Sequence, residues 1–570
     1  MMHRGSLSTM VSVGAFLAML LSACAPAAAP SPPAPAPAAP GAPAPTAVPR
    51  ATPPPVAPAA APAAPAAEKP QYGGTLALTL NADIPSLDFN AETTMNVWEP
   101  GRASVESLVR RNAWKPDVPI VGHLAEKWDM SADGTTFTFT LAKGATWHDG
   151  SPFTSQDVKF TFERYLNPPA GVRSVIVTQL QPIKEMQVVN DTTFKMVLRQ
   201  PKGSMLDRLS GIPVYSKKWT EAGGDPQRDM MGTGPFKFKA YTPGTSWEFV
   251  KYPNYWQKGK PYLDGLIWYI INDRATRFAA LRTGRAKVAS SYFSQISPTE
   301  KEQMEKDKLP VQTWPSYVQL TPYMEFNLKQ KPYDDVRVRR AIHLATDRAQ
   351  ARQTVLEKAG RPGFWFTYRQ PPGIGLDELL KMPGFREDPK LKEQDIAGAK
   401  KLMADAGFPN GFKAVVTTRT LDSFKKQAIF MASEVSKIGI QATVDVVEDA
   451  AIWPKLRRGE FQMAQLNATS LRIDPSDETD LWLLPKGGLN FHPFEDAEFV
   501  KAYNEQDKLL DPAARTPILR KMEQRLIDEM PGIHLGWSYG FIMVWNEVKN
   551  WPQYDRGFEA GVLSDIWMTK

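Results

Sequence analysis

The 570-residue sequence predicts a mixed α/β fold, because strand-like and helix-like segments alternate irregularly along it. Residues 135–141 and 194–198 alternate apolar and polar side chains, as half-buried strands do. Other segments repeat apolar residues at a spacing of three to four behind recognisable helix caps. The body at 72–570 is long enough for two or three domains, and it contains no evident internal repeat.

Cys24 is the only cysteine, so no disulfide can form within the chain. It follows a weakly basic start and an apolar run at 11–21, the layout of an export signal. Leu21-Ser22-Ala23-Cys24 resembles the lipobox of bacterial lipoproteins. This resemblance implies a signal peptide at 1–23 and a lipid anchor on Cys24.

Residues 24–71 are rich in proline and alanine and cannot bury a core. They predict a semi-extended linker that holds the body away from a membrane surface. A tail with no spacing role is the alternative.

Three helices are predicted from their caps. Thr154-Ser155-Gln156-Asp157 begins one helix as a capping box does. A second is expected to start at Asp395 and to end at Gly407. A third begins at Asp511-Pro512, and Pro531 stops it.

The charge pattern argues against a nucleic-acid partner. The formal charge is only +7, and basic and acidic residues are interspersed throughout the body. The basic run Arg337-Val338-Arg339-Arg340 predicts a helix face, because Val338, Ile342 and Ala345 mark a buried stripe at helical spacing.

Catalytic, metal and cofactor motifs have little support. Gly536-Trp537-Ser538-Tyr539-Gly540 matches the nucleophile-elbow pattern, but no histidine follows Ser538 to complete a triad. The six histidines are scattered without metal-ligand spacing and are predicted to be structural. Gly232-Thr233-Gly234-Pro235 stops short of a dinucleotide motif and predicts a tight turn into a strand. We therefore predict no enzyme activity, no metal and no cofactor.

An ordered set of motifs resembles family five of the extracellular solute-binding proteins, which serve peptide, nickel and related ABC importers. The motifs are GGTL at 73–76, LAEKW at 124–128, WHDGSPFTSQDV at 147–158, GTGPF at 232–236, PNYW at 253–256, FN at 326–327, DVRVRRAI at 335–342 and AGFPNG at 406–411. The resemblance implies a bilobed periplasmic-binding-protein-like α/β fold (type II, cluster C) that closes on a solute by hinge bending.

By the same resemblance, the first lobe would combine 72–100, 218–317 and 532–570. Residues 101–217 would form a subdomain inserted in that lobe, and 318–531 would form the second lobe. The implied protein is a monomeric, lipid-anchored receptor outside the cytoplasmic membrane that hands a small solute to an ABC permease. An envelope enzyme and a receptor that only reports ligand occupancy are the rival functions.

The resemblance also implies which residues contact the solute. In peptide-binding relatives, an aspartate upstream of an Asp-Pro pair captures the peptide ammonium; here Asp474-Pro475 matches the pair, but Leu471 stands at the anchor position. Arg419 matches the arginine that captures the carboxylate. Because an unpaired ammonium buried against Leu471 would be costly, we expect an anionic or neutral polar solute, or a peptide held mainly through its backbone.

The remaining candidate ligand-binding residues are Thr94, Met95, Asn96, Asn467, Ala468 and Thr469, with Ala468 at a position that is aromatic in those relatives. Four tryptophans near cleft-lining segments support a rival oligosaccharide ligand, because aromatic faces suit sugar rings: Trp98, Trp365, Trp453 and Trp482. Core packing is the alternative role for tryptophans of this kind.

Overall fold

The computed structural model describes residues 68–84, 86–92, 95–115, 120–170, 172, 174, 176–290, 294–316, 320–469, 472–491, 494–553 and 561–569. The predicted signal peptide, Cys24 and most of the Pro/Ala-rich segment lie outside the described residues, as do Thr94 and Leu471. Within the described part, no helix has the length and apolar character needed to cross a membrane.

Strands and helices alternate irregularly, as the sequence predicts. The strands are β1 (Thr75–Leu80), β2 (Val109–Arg111), β3 (Ile120–Gly122), β4 (Ala125–Met130), β5 (Thr136–Leu141), β6 (Ile183–Asn190), β7 (Thr193–Leu198), β8 (Phe236–Thr242), β9 (Ser246–Lys251), β10 (Gly265–Ile270), β11 (Val288–Ala289), β12 (Val311–Pro315), β13 (Leu320–Phe326), β14 (Gly360–Arg361), β15 (Lys413–Arg419), β16 (Gln441–Val447), β17 (Met463–Thr469), β18 (Gly532–His534), β19 (Trp537–Ser538), β20 (Phe541–Trp545), β21 (Val548–Lys549) and β22 (Trp567–Met568).

The helices are α1 (Met95–Gly101), α2 (Ser155–Leu166), α3 (Val177–Leu180), α4 (Met205–Leu209), α5 (Lys217–Glu221), α6 (Arg274–Arg282), α7 (Pro298–Lys306), α8 (Val336–Ala345), α9 (Arg348–Thr354), α10 (Leu376–Leu379), α11 (Pro389–Asp405), α12 (Asp422–Ser436), α13 (Asp449–Arg457), α14 (Pro475–Glu478), α15 (Ala497–Gln506) and α16 (Pro512–Glu529). A π-helical turn at Thr479–Leu483 follows α14, and a 3-10 turn spans Val562–Asp565.

Two large sheets organise the chain. In the described residues, the first sheet has the order β12-β20-β11-β1-β10-β9-β8, and the second has β14-β19-β13-β17-β15-β16 with β18 also paired to β13. Each sheet has its own apolar core, one centred on residues such as Leu78 and Trp268 and the other on Phe326 and Leu466. Among the described strands, the chain passes between the sheets twice, from β12 to β13 and from β19 to β20.

A smaller antiparallel sheet, β4-β5-β7-β6, lies in the segment predicted as the inserted subdomain. Both strands expected from alternation are present here as β5 and β7, and their buried residues alternate with half-buried ones. Phe139 and Phe194 face α2, where Phe162 stacks on Phe194 with ring centroids 6.1 Å apart.

Two strands of the segment 532–570 pair with the second sheet. β18 and β19 pair with β13 of the second sheet, although the sequence-based division assigns residues 532–570 to the first lobe. The return to the first sheet begins at β20, which pairs with β11 and β12. The lobe and subdomain boundaries remain predictions.

Two of the three predicted helix caps are confirmed. Thr154 and Asp157 form the capping box of α2, and Asp511 caps α16 with Pro512 at its first position. The start predicted at Asp395 is wrong, because α11 begins earlier, behind the cap of Asp388. Asp395 is instead buried within the helix, where it accepts a hydrogen bond of 2.8 Å from the Gly384 N–H and pairs with Arg386.

The basic run on α8 lies on a helix whose apolar residues pack in the core of the second sheet. Val338, Ile342 and Ala345 are buried, as predicted. Arg339 is buried too and donates to the Glu529 carbonyl at the end of α16, while Arg337 donates to the Asp405 carbonyl at the end of α11. These guanidinium groups satisfy the last carbonyls of neighbouring helices.

A buried carboxylate, Glu106, joins several of the sequence motifs. It accepts hydrogen bonds from Thr233 Oγ1 at 2.9 Å, Tyr255 OH at 2.7 Å and Trp256 Nε1 at 3.0 Å. His123 Nε2 lies 3.0 Å from the same carboxylate. Desolvation raises the pKa of Glu106, but His123 and these donors outweigh it, and the pKa lies below its ordinary value.

The glycines of the GTGPF motif are required by close packing. A Cβ on Gly232 would lie 1.7 Å from the Ser104 carbonyl oxygen, and one on Gly234 would lie 2.7 Å from it. The Gly234 N–H donates to that carbonyl at 2.9 Å, and His148 Nε2 lies 2.9 Å from the Gly234 carbonyl. The segment leads into a strand, β8, as expected, but through a bend at Gly234 and Pro235, and close backbone approach explains its glycines.

Candidate solute-binding site

One edge of the second sheet collects three of the predicted site residues. β15 and β17 run parallel, so Arg419 and Thr469 lie where these strands end. β13 runs antiparallel to β17, and its first residue, Leu320, pairs with Thr469. Asn467 lies two residues before that end. The chain also enters β13 from the first sheet at this edge, which places the site beside a crossover between the sheets.

Arg419 is held between two aromatic side chains. Its guanidinium carbon lies 4.0 Å from the ring centroid of Phe424 at the start of α12 and 5.2 Å from that of Trp453 on α13. Trp453 in turn packs on Phe491, with centroids 5.9 Å apart. Such cation–π contacts restrict the rotamers of a long side chain, and a planar guanidinium matches the geometry of a carboxylate or phosphate.

Asn467 and Ala468 face opposite sides of β17. Asn467 is half-buried, and its Oδ1 accepts a hydrogen bond of 3.2 Å from Gln465 Nε2. Gln465 also accepts from Thr418 Oγ1 at 2.9 Å, so a chain of polar contacts links β17 to β15. Ala468 is fully buried in the core of the second sheet, where its methyl group has no exposed surface. The side chain of Thr469 lies outside the described residues.

Asp474 is buried and paired with an arginine of α16. Its two oxygens accept hydrogen bonds of 2.5 and 2.8 Å from Arg515 on α16. The same carboxylate caps α14 by accepting from the Ser476 N–H at 2.9 Å. A ligand cation at Asp474 would therefore have to share the carboxylate with Arg515.

Met95 and Asn96 begin α1, which follows β1 of the first sheet, and both are buried. One turn further along, Glu99 Oε1 accepts a hydrogen bond of 3.0 Å from Ser290, just after β11. These two predicted residues therefore belong to the first-sheet part of the molecule, whereas Arg419, Asn467 and Asp474 belong to the second.

The tryptophans proposed as sugar platforms divide into two groups. Trp365 and Trp482 are almost completely buried in the second core, so neither offers a face for stacking in this structure. Trp98 is half-buried and donates to the Glu92 carbonyl at 2.8 Å, while Trp453 contacts Arg419 as described above. Phe424 was not predicted as a site residue, although its position five residues after Arg419 in the sequence could have suggested a contact.

The described histidines are buried in structural contacts. His123 pairs with Glu106, His148 with a backbone carbonyl, and His534 with Thr321 Oγ1 at 3.0 Å. His343 lies 3.1 Å from the Pro383 carbonyl and 3.0 Å from Arg348. Among the described side chains, no group of three or more histidine, cysteine or acidic residues could hold a metal ion. His3 and His492 lie outside the described residues.

A cavity of about 420 Å³ opens elsewhere on the molecule. It is lined by Arg274 and residues at the start of α7 on one side and by the end of α9 and its following turn on the other. Its lining does not include Arg419 or Asn467.

Comparison with known proteins places the chain in a family. The sequence profile described as "Bacterial extracellular solute-binding proteins, family 5 Middle" matches residues 119–490. Heme-binding protein A of Haemophilus influenzae is 28% identical over 473 residues, covering 77% of this chain and 82% of that protein. The dipeptide-binding protein of Escherichia coli K12 is 25% identical over 472 residues, covering 76% and 83%.

Solved structures show the same fold. The PBP AgaA from A. tumefaciens R10, in complex with agropinic acid, superposes with a TM-score of 0.72 at 24% identity over 87% of this chain and 99% of that one. This likeness confirms the predicted bilobed α/β periplasmic-binding-protein architecture. The profile match covers more than half of the chain and carries the family assignment. The chain belongs to family 5 of the bacterial extracellular solute-binding proteins, the receptors of ABC importers.

Proposed function

We propose that the protein is a lipid-anchored receptor that captures a peptide or peptide-like solute between its lobes, through a carboxylate of that solute, and delivers it to an ABC permease. Arg419 carries this proposal. It stands at the sheet edge beside a crossover, and Phe424 and Trp453 hold its guanidinium in place. Charge-assisted bidentate hydrogen bonding to a carboxylate is the strongest interaction this group offers a solute.

The pairing of Asp474 and Asp477 supports a solute whose binding does not depend on an ammonium group. Asp474 binds Arg515 through both oxygens, and Asp477 accepts a hydrogen bond of 3.1 Å from Gln179 and lies 3.4 Å from Arg472. Capturing an ammonium at either carboxylate would compete with a buried arginine, at a cost of several kcal/mol. Leu471, at the anchoring position of peptide-binding relatives, is itself apolar.

The relatives support both a peptide and another anion as cargo. One is a dipeptide-binding protein, one is a heme-binding protein, and AgaA was solved with agropinic acid. A small anionic solute is therefore the second candidate, because the same arginine would serve it. An oligosaccharide ligand loses two of its four proposed platforms, since Trp365 and Trp482 are buried.

The other parts of the proposal concern the setting of the receptor. Acylation of Cys24 would anchor it to the membrane, and the Pro/Ala-rich segment would space a monomeric body from the surface. Release of a lipid-modified N-terminal peptide beginning at Cys24 would support the anchor. An unprocessed Met1 in the mature protein would refute it.

Native mass spectrometry of the purified protein tests the cargo. We expect a retained solute that carries a carboxylate, identified after denaturation. The titration of that solute into Arg419→Ala should then show binding weaker by about 2–5 kcal/mol. Arg458→Ala is the control, because Arg458 lies just after α13 but pairs, among the described residues, with nearby Glu460. Equal affinity in the Arg419 and Arg458 variants would remove Arg419 from the site. Turnover of the retained solute would favour the rival envelope enzyme.

A further inference from the structure

A buried polar interface joins the segment around α4 to the region between β17 and α16. Asp507, just after α15, is its centre. Asp507 pairs with Lys202, accepts 2.8 Å from Ser204 Oγ, and its carbonyl accepts from the Gly203 N–H at 2.7 Å. Lys202 and Asp507 expose only 11% and 7% of their side chains, so this pair is largely shielded from water.

Two arginines extend the interface on either side. Arg208 of α4 pairs with Asp480 of the π-helical turn at 2.6 Å, and the Arg208 side chain is 1% exposed. From the other direction, Arg472 donates to the Asp207 carbonyl at 2.6 Å and to Gln179 Oε1 at 3.1 Å. The contacts therefore run in both directions, with cations supplied by each side.

The two sides of this interface come from chain segments that are bounded by strands of different sheets. Gln179 and residues 202–208 lie in the stretch between β1 and β8, both of which are strands of the first sheet. Residues 472–507 lie between β17 and β18 of the second sheet. The chain connects the sheets only at the β12–β13 and β19–β20 crossovers among the described strands. A rotation about those crossovers that carried each segment along with the sheet whose strands bound it would pull the interface apart.

We infer that this interface, centred on Asp507 and here called the clasp, forms when the lobes close and breaks when they open, so that it sets the balance between the two states. The inference rests on the family function of binding by lobe closure, and not on the identity of the solute. The clasp residues differ from the proposed solute contacts. They would adjust solute affinity by changing the population of the closed state.

The balance of energies suits such a role. Buried ion pairs gain little over hydration, because desolvation offsets their attraction. Opening would return the four charged side chains to water, namely Lys202, Arg208, Asp480 and Asp507. The free-energy difference between the closed and open states therefore stays small, and the clasp can favour closure while opening remains accessible. Breaking one partner would leave a buried charge unpaired in the closed state and would push the equilibrium toward the open state.

Gly203 offers a test that changes no charge. A Cβ at this position would lie 2.1 Å from the Leu509 carbonyl oxygen, which belongs to the opposite side of the clasp. Its backbone is not in the left-handed region, so alanine is not strained there by its φ angle. Gly203→Ala should therefore prevent full closure while leaving the open state intact. Gly488→Ala is the matched control, because a Cβ there meets no atom within 4 Å.

The experiment measures the distance between spin labels by pulsed electron paramagnetic resonance. Cysteines replace the exposed Lys184 and Lys501, one on each side of the clasp, in a Cys24→Ser background. We expect a short-distance population in the parent and in Gly488→Ala. Gly203→Ala should shift the distribution to longer distances through its clash, and Asp507→Asn should do so because it leaves Lys202 without its carboxylate partner in the closed state.

A second measurement separates this inference from the choice of solute. If the clasp sets closure, Gly203→Ala should weaken binding of the co-purified solute roughly tenfold or more, although Gly203 is not a proposed solute contact. A single distance that neither variant changes, in proteins that melt like the parent, would show a permanent interface and overturn the inference. A distance shift in the variants would support the clasp even if Arg419→Ala left solute binding unchanged.

Discussion

Replacing Glu106 tests the buried cluster that joins the family motifs. Glu106→Ala would remove the acceptor for Thr233, Tyr255 and Trp256 and leave His123 without its carboxylate. Breaking a buried pair by deleting one partner costs about 3–5 kcal/mol, and we expect a loss of about 4 kcal/mol in the free energy of unfolding. Glu106→Gln keeps the size and one acceptor oxygen, so we expect about half that loss.

The pH dependence gives this prediction a second readout. The pKa of Glu106 is lowered in the folded protein, so its carboxylate stabilises the fold above the ordinary pKa of 4.5. That contribution disappears as the pH falls through the lowered value. The difference between the parent and Glu106→Gln should therefore be large near pH 7 and shrink below about pH 4.

Urea unfolding followed by tryptophan fluorescence measures these losses. Glu248→Gln is the control, because Glu248 is a partly exposed carboxylate that pairs with the exposed Lys239 across a strand pair. We expect the control to change stability by less than about 1 kcal/mol. If Glu106→Ala lost no more unfolding free energy than the control, the cluster would contribute no stability. That result would refute the view that these motif residues serve to stabilise the fold.

Two further predictions concern stability. Burial is the largest influence on Glu523 and raises the pKa of its carboxyl from 4.5 to about 7. The neutral form, which stabilises the fold, is therefore fully present below pH 4.5 and is lost as the pH rises through about 7. The melting temperature should fall over that range, and Glu523→Gln, which stays neutral, should flatten the fall. A parent slope equal to that of the variant would contradict this. Gly232→Ala should lose about 2–3 kcal/mol of the free energy of unfolding in urea, because its Cβ would lie 1.7 Å from the Ser104 carbonyl oxygen. The control, Gly488→Ala, should be nearly neutral. Equal unfolding midpoints for the two variants would show that the segment around Gly232 relaxes at no cost.

Local signals predicted the elements whose causes are local. The α2 capping box and the Asp511-Pro512 start of α16 lie in four consecutive residues or fewer, so the sequence shows them directly. The helix start was wrongly predicted at Asp395 because the apolar residues after it repeat at helical spacing, although the helix itself begins upstream, behind Asp388. Its own role, a bond to the Gly384 N–H and a pair with Arg386, depends on tertiary packing that spacing does not show.

The candidate site was only partly predictable for the same reason. Family resemblance indicated Arg419, and the structure adds its contacts with Phe424 and Trp453, which depend on how α12 and α13 pack beside β15. Lys202 and Asp507 are 305 residues apart in sequence, so no local pattern could join them. Asp474 looked available as a ligand acid until its pairing with Arg515 was visible.

The motifs that identify the family are separate from the residues that would select the solute. Glu106 joins the GTGPF and PNYW motifs, and His148 of the WHDG motif contacts the Gly234 carbonyl. All of these lie in the first-sheet part of the chain, and their buried contacts explain the residue types without any ligand. Arg419 and Asn467 lie at an edge of the second sheet. If the proposed site is right, sequence changes at that edge would redirect specificity while the motif cluster stays intact.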